Sequence, residues 1–231
     1  MILSLLIASP ARTLEVYAAA SLREAFGVVG ARFEAAHPGT RVRLTFAGSQ
    51  TLAAQIGQGA PADVFASASP KNLAGLAFDP GSRRVFATNR LVVIGAASLR
   101  DLARARRIVL GASSVPVGGY ADAAIASAGR EWGAAWRQSV LAHVVSREAD
   151  VKAVLAKVRL GEADAGIVYA SDALGVRVRT TAIPAAFGPR IEYPVVVLRD
   201  AREPALGREF VALLRAKAGR AALAARGFGT P

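Results

Sequence analysis

Two short stretches set small residues and a serine at the point where a strand signal gives way to a helix signal. They are Ala18-Ala19-Ala20-Ser21-Leu22 and Phe46-Ala47-Gly48-Ser49-Gln50-Thr51-Leu52. A serine so placed offers a hydroxyl donor, unpaired backbone N–H groups and the positive end of a helix dipole, which together make an anion site. The small neighbours Ala19, Ala20, Ala47 and Gly48 let an oxyanion approach the backbone. Ser21 followed three residues later by Glu24 also fits a capping box. A lone serine at a helix start is ordinarily just an N-cap. Two at equivalent places in successive strand–helix units point to one cleft, because ligands of open α/β sheets sit beyond the carboxyl ends of the strands.

The second half of the chain offers matching groups. Val115-Pro116-Val117-Gly118-Gly119-Tyr120 reads as a tight turn leading into a helix, with backbone N–H groups exposed at Val117. Asp150 reads as an N-cap, which puts the Val151 amide in a first helical turn. Tyr169 ends a strand and its phenol is within reach of the same cleft. Each also has a plain structural reading, as a turn, a cap and a tyrosine at the edge of a core.

Catalytic patterns are weak. The serine-hydrolase elbow Gly-x-Ser-x-Gly does not occur. There is no Gly-x-x-x-x-Gly-Lys phosphate loop, and Gly227-Phe228-Gly229 lacks the third glycine and the strand context of a dinucleotide site. His37 and His143 lack metal-ligand spacing; the first precedes a helix-ending Pro-Gly, the second adjoins a strand, and both read as structural. Asp63 reads as a hydrogen-bonded residue opening a buried strand rather than as a general base. With no cysteine there are no disulfides, thiolate nucleophiles, zinc–thiolate sites or lipid-anchored N-terminal cysteine. The expectation is a protein that is not an enzyme, with no cofactor and no site for a free metal cation.

The elements that must position these groups alternate. Leu14 to Ala18 reads as a strand. Leu22, Phe26, Val29 and Phe33 recur at helical spacing and stop at His37-Pro38-Gly39. Val42 to Phe46 alternates as a strand, a helix runs from Ser49 to Gly59, and Asp63 to Ala66 is a buried strand. The pattern restarts with strands at 91–94 and 108–110, a helix at 120–128, a strand at 144–145, a helix around Val151 to Val158, and a strand at 165–169. A strand at 193–198 and helices at 204–216 and 220–226 complete the chain. This order predicts an α/β fold of two lobes, each a mostly parallel or mixed sheet flanked by helices. The expected boundaries are 13–87 with 195–231 for the first lobe and 88–194 for the second. Extended crossings near 86–91 and 190–195 would form a hinge that closes around a ligand.

The 231 residues suffice for two lobes with a core each. The chain is 53% hydrophobic, yet no stretch after residue 11 approaches the roughly 18 apolar residues of a membrane span. Ile2 to Ala8 followed by Ser9-Pro10-Ala11 resembles the last part of a secretory signal peptide without its charged start. Residues 1–12 are therefore expected to be a signal-peptide remnant and the protein to be periplasmic or otherwise extracytoplasmic; the alternative is an N-terminal strand. Zero cysteine suits an oxidising compartment. Net charge is +12, with 4 Lys among 29 basic residues and hence 25 Arg. The arginines are scattered, and aromatics make up only 6%, which argues against a nucleic-acid partner. The excess is read as compositional bias that adds a mild, salt-screened attraction for anions.

In order along the chain, Val16-Tyr17-Ala18-Ala19-Ala20-Ser21-Leu22, Phe46 to Ala53, Gln55-Ile56 and Gly59-Ala60-Pro61-Ala62-Asp63-Val64-Phe65 resemble the periplasmic molybdate-binding proteins of molybdate ABC transporters, a type II solute-binding family. The resemblance continues through Val115-Pro116-Val117-Gly118-x-Tyr120, Asp150-Val151, Gly166-Ile167-Val168-Tyr169-x-Ser171-Asp172-Ala173, Tyr193-Pro194-Val195 and Gly227-Phe228-Gly229. It implies capture of molybdate or tungstate between two lobes without any charged side chain, for delivery to a membrane permease, by a monomer. Ser21 and Ser49 match the family's hydroxyl and amide donors, Val117 and Val151 its backbone amides, and Tyr169 its phenol donor. These amount to about seven neutral donors.

Departures are Gly48 and Gln50, where serines are common in relatives, the bulkier Val117, and a shortened segment from Lys71 to Val85. A same-fold protein for sulfate, phosphate or an organic anion is the first alternative, and phosphate would need an acceptor for its proton. A serine-dependent enzyme would need a histidine near Ser21 or Ser49. A regulator's effector domain would need a DNA-binding region, and none is expected ahead of residue 14.

Overall fold

The computed structural model describes residues 12–231. The expected signal-peptide remnant lies outside the described residues, except that Arg12 already opens the first strand, β1 (Arg12–Ala19). A 3-10 turn at Ala20–Leu22 leads into α1 (Arg23–Ala36). Next come β2 (Thr40–Ala47), α2 (Ser49–Gly57) and β3 (Val64–Ala66). Strand β4 (Arg84–Asn89) ends this half, and β5 (Leu91–Ile94) begins the next. Then follow β6 (Ile108–Gly111), α3 (Pro116–Trp132), α4 (Ala134–Ala142), β7 (Val144–Glu148) and α5 (Val151–Arg159). The remainder is β8 (Ala165–Tyr169), α6 (Ala170–Ala173), β9 (Thr180–Ala182), β10 (Ile191–Val197), α7 (Pro204–Arg215) and α8 (Lys217–Ala224).

The two sheets share one plan. The first has order β2-β1-β3-β10-β4 and the second β7-β6-β8-β5-β9. In each, three parallel strands are joined by helical crossovers, and a fourth strand runs antiparallel to the third. That fourth strand, β10 or β5, is the one that enters directly after the chain has crossed from the other sheet. The crossings fall at Arg90 and between Ala182 and Ile191, and the first is pinned by the Ala170 N–H donating to the Arg90 carbonyl at 2.9 Å.

Parallel strands covered on both faces must be apolar throughout. Accordingly β3, β6 and β8 are buried at every position. Helix α1 lays Phe26 and Phe33 against Phe210 of α7, with ring centroids 5.7 and 5.5 Å apart, so the C-terminal helices pack on the first lobe. Among the described residues, no helix is long and apolar enough to cross a membrane.

Several elements differ from expectation: strands β4 and β9 and helix α6 are additional, and the region of α3 and α4 is organised differently. Helix α3 starts at Pro116 rather than Tyr120 and runs to Trp132; proline at the first helical position is pre-set for the turn, so the presumed turn is already helix. Helix α4 follows directly after Gly133, whose φ of 97° makes the break. In this stretch small Ala and Gly faces carry the packing and leave little periodic signal.

Candidate functional site

A cavity lies between the sheets, and all six parallel strands point their carboxyl ends at it. Strand β1 delivers Ser21, β2 delivers Ser49, β3 delivers Ala68, β6 delivers Val117, β7 delivers Val151 and β8 delivers Tyr169. The five residues singled out in the sequence therefore border one space. The cavity is about 20 Å³, on the measure by which a single water needs roughly 10–15 Å³. That is a small space, of the order of one or two water molecules.

Ser21 sits in the 3-10 turn, one position before the N-cap of α1, which is Leu22. The expected capping box is therefore not formed. Glu24 instead accepts from Lys152 Nζ at 2.9 Å through both carboxylate oxygens. The Ser21 hydroxyl is 3.1 Å from the Tyr193 hydroxyl. Ser49 is the first residue of α2, with Gly48 as N-cap. Its Oγ accepts the Ala68 N–H at 3.0 Å, which leaves its own proton free to donate.

The first amides of a helix have no intrahelical partner. Val151 opens α5, and Val117 is the second residue of α3. Asp150 Oδ1 accepts from the Lys152 and Ala153 amides at 2.8 and 3.0 Å, so the cap engages the carboxylate and leaves the Val151 N–H uncapped. Close approach of α3 to β6 requires Gly118, since a Cβ there would run into the Ala112 carbonyl.

Tyr169 is 1% exposed, and its hydroxyl is buried without a hydrogen-bond partner among the described residues. Burial pushes its pKa well above the usual tyrosine value, so the phenol is a neutral donor. Among the described residues, no Lys, Arg or His borders the cavity. A buried donor without a partner costs about 1–3 kcal/mol, and such a group in a cavity of donors marks a place made for an acceptor.

The sequence of the bacterial extracellular solute-binding proteins matches residues 14–229. This chain belongs to that family. The solute-binding protein is 40% identical over 234 residues to the molybdate-binding protein ModA of Mycobacterium tuberculosis, covering 96% of this chain and 86% of that one. Its fold superposes on the Azotobacter vinelandii periplasmic molybdate-binding protein with TM-score 0.81 at 24% identity, covering 94% and 99% of the two chains. It superposes almost as well on the sulfate-binding protein SubI of M. tuberculosis, with TM-score 0.80 at 18% identity, covering 94% and 86%. The fold alone therefore does not decide the anion.

The histidines of this solute-binding protein are structural, as expected. His37 Nδ1 bonds the Phe33 carbonyl and His143 Nδ1 the Ser139 carbonyl, each at 2.8 Å. Asp63 accepts from the Glu15, Arg202 and Glu203 amides. Among the described residues no cluster of His, Cys, Asp or Glu could hold a metal ion.

The sequence reading missed what stands behind the cavity. Asn89 and Tyr193 back Ser21. Lys152 of the second lobe ties Glu24 of the first to Asp172. Gln50 Nε2 donates across the lobes to the Ala149 carbonyl at 3.1 Å. Tyr193-Pro194 was visible as a motif, but Asn89 and Lys152 carry no local signal.

Proposed function

We propose that this protein captures molybdate, and its near-equal in size tungstate, in the cavity between its lobes and presents it to the permease of an ABC transporter outside the cytoplasm, as a monomer. The observation that carries this is the buried, unpartnered Tyr169 hydroxyl in a cavity that also receives two serine hydroxyls and two helix N-termini and no cationic side chain. The kinship with ModA supports the choice of anion.

The chemistry is capture, not turnover. A tetrahedral dianion exchanges its water for hydroxyl protons of Ser21, Ser49 and Tyr169 and amide protons of the turn and helix starts that include Val117 and Val151. Fixed dipoles aimed inward stabilise the charge without a counter-cation. The Ser49 oxygen is occupied by the Ala68 N–H, and the carboxylate that also borders the cavity, Asp150, caps α5 through Oδ1. Sulfate carries the same charge as molybdate but is smaller; it cannot reach all donors together, and each unmet donor costs about 1–3 kcal/mol.

Calorimetric titration tests the reading. The expected result is one-to-one binding of molybdate and tungstate, unmoved by excess sulfate and abolished in the Ser21→Ala, Ser49→Ala double variant. Heat with sulfate or phosphate alone would overturn the choice of anion.

A further inference from the structure

Behind Ser21 runs a chain of three side chains whose proton directions are determined by chemistry rather than by choice. The Arg90 N–H donates to Asn89 Oδ1 at 2.9 Å, which assigns the orientation of the amide. Asn89 Nδ2, which can only donate, then faces Ser171 Oγ at 2.8 Å and the Tyr193 hydroxyl at 3.4 Å. Tyr193 is fully buried, and the other hydrogen bond of its hydroxyl among the described residues is with Ser21 Oγ at 3.1 Å. A phenol has one proton. With Asn89 donating to it, Tyr193 directs that proton to Ser21 Oγ, and the Ser21 proton is left to point elsewhere, into the cavity that Ser21 borders.

We infer that Asn89 and Tyr193 are positioning residues that orient the Ser21 hydroxyl as a donor toward the captured oxyanion. The inference rests on the oxyanion-capture reading above and deepens it. Burial raises the Tyr193 pKa far above its ordinary value, so the relay keeps its proton at any pH the protein meets. The arrangement makes the two serines equivalent by different means: Ser49 Oγ is filled by a backbone N–H and Ser21 Oγ by a phenol. Asn89 also connects the device to the second lobe, because Ser171 lies in α6, directly after the strand that ends in Tyr169. Asn89 sits at the end of β4, one residue before the first crossing. Without its amide, Tyr193 is free to accept from Ser21, and the serine proton turns away from the ligand.

The test is a double-mutant cycle read by calorimetry, using molybdate, tungstate and sulfate as probes. Tyr193→Phe preserves the ring packing. It should weaken anion binding about threefold to tenfold in the wild-type and Ser49→Ala backgrounds, the range for one neutral hydrogen bond. In the Ser21→Ala background the same change should alter affinity less than about twofold, since nothing remains to orient. Asn89→Ala should show the same background dependence, and serves if Tyr193→Phe folds poorly. An equal loss in all three backgrounds would mean that Tyr193 only packs, and would overturn the relay. If only sulfate binds, the molybdate reading fails while the cycle, run with sulfate, still decides the relay. If none of the three anions binds the wild-type protein, both fall.

Discussion

The Cα of Gly48 in the first lobe faces the carbonyl oxygen of Ala149 in the second so closely that a Cβ at position 48 would lie 2.5 Å from it. Gly48 is the N-cap of α2, with φ −57° and ψ 137°, a conformation open to any residue, so the close neighbours at position 48 are the Ala149 carbonyl and the Gln50 side chain that bonds it, not a strained backbone. Gly48→Ser should leave the anion-free protein as stable or slightly more so, because serine is a favoured N-cap. The same change should hold the lobes apart and lower molybdate affinity by at least about tenfold, or roughly 1.4 kcal/mol. Denaturant unfolding and calorimetry together check this, and unchanged affinity would show that the lobes close without this contact.

Tyr169→Phe removes a hydroxyl that has no hydrogen-bond partner among the described residues. Stability without ligand should be unchanged or rise by up to about 1 kcal/mol, while affinity falls roughly tenfold to a hundredfold, as for a hydrogen bond to a charged group. Parallel losses of stability and affinity would mean that the hydroxyl is used within the protein.

Ser49→Ala should behave differently. Its Oγ also serves the buried Ala68 N–H, so the variant strands a backbone donor and should lose about 1–2 kcal/mol of stability as well as affinity. Melting temperatures without anion should rank Tyr169→Phe above Ser49→Ala.

Lys152 links the lobes through Glu24, which is about half exposed, and Asp172, whose side chain is wholly buried. Lys152→Met should speed anion release by about tenfold with little change in capture rate, since interface contacts act mainly on dissociation. Glu24→Gln should act in the same direction and more weakly. Stopped-flow displacement of molybdate measures both, and an effect confined to the association rate would refute the assignment.

Asp172 makes stability depend on pH. Burial raises its pKa from 3.8 to about 6, against the pull of Lys152, with Glu24 and Asp150 adding to the rise. Tyr169 and Tyr193 are the other titratable groups coupled to it. The folded protein thus holds this proton more tightly than the unfolded chain. The resulting stabilisation is complete below about 3.8 and is lost as pH rises through about 6. Relative to Asp172→Asn, the wild-type protein should lose up to roughly 3 kcal/mol between pH 3.5 and 7.5. Urea unfolding of both proteins across that range checks it, and a flat difference would show a carboxylate that titrates at its ordinary value.

The strand–helix alternation, the two-lobed class and the five cavity residues were legible in the sequence because each is a local matter. Apolar period reports which face is buried, and Ser21, Ser49, Val117, Val151 and Tyr169 were found from their place at strand ends and helix starts. Even there the local rule overreached: Ser21 and Glu24 have capping-box spacing, but a 3-10 turn shifts the helix start past Ser21 and sends Glu24 to Lys152. What joins the site was not legible. Tyr193 meets Ser21 across 172 positions, Lys152 meets Glu24 across 128 and Gln50 meets Ala149 across 99. No periodicity or spacing encodes which side chain arrives opposite another once β10 has crossed back beside β3 and the lobes have met. The sequence by itself determined which donors point out of the strands; the tertiary structure decided which way their protons face and what holds the two halves together, because both depend on partners that only the folded chain brings within hydrogen-bonding distance.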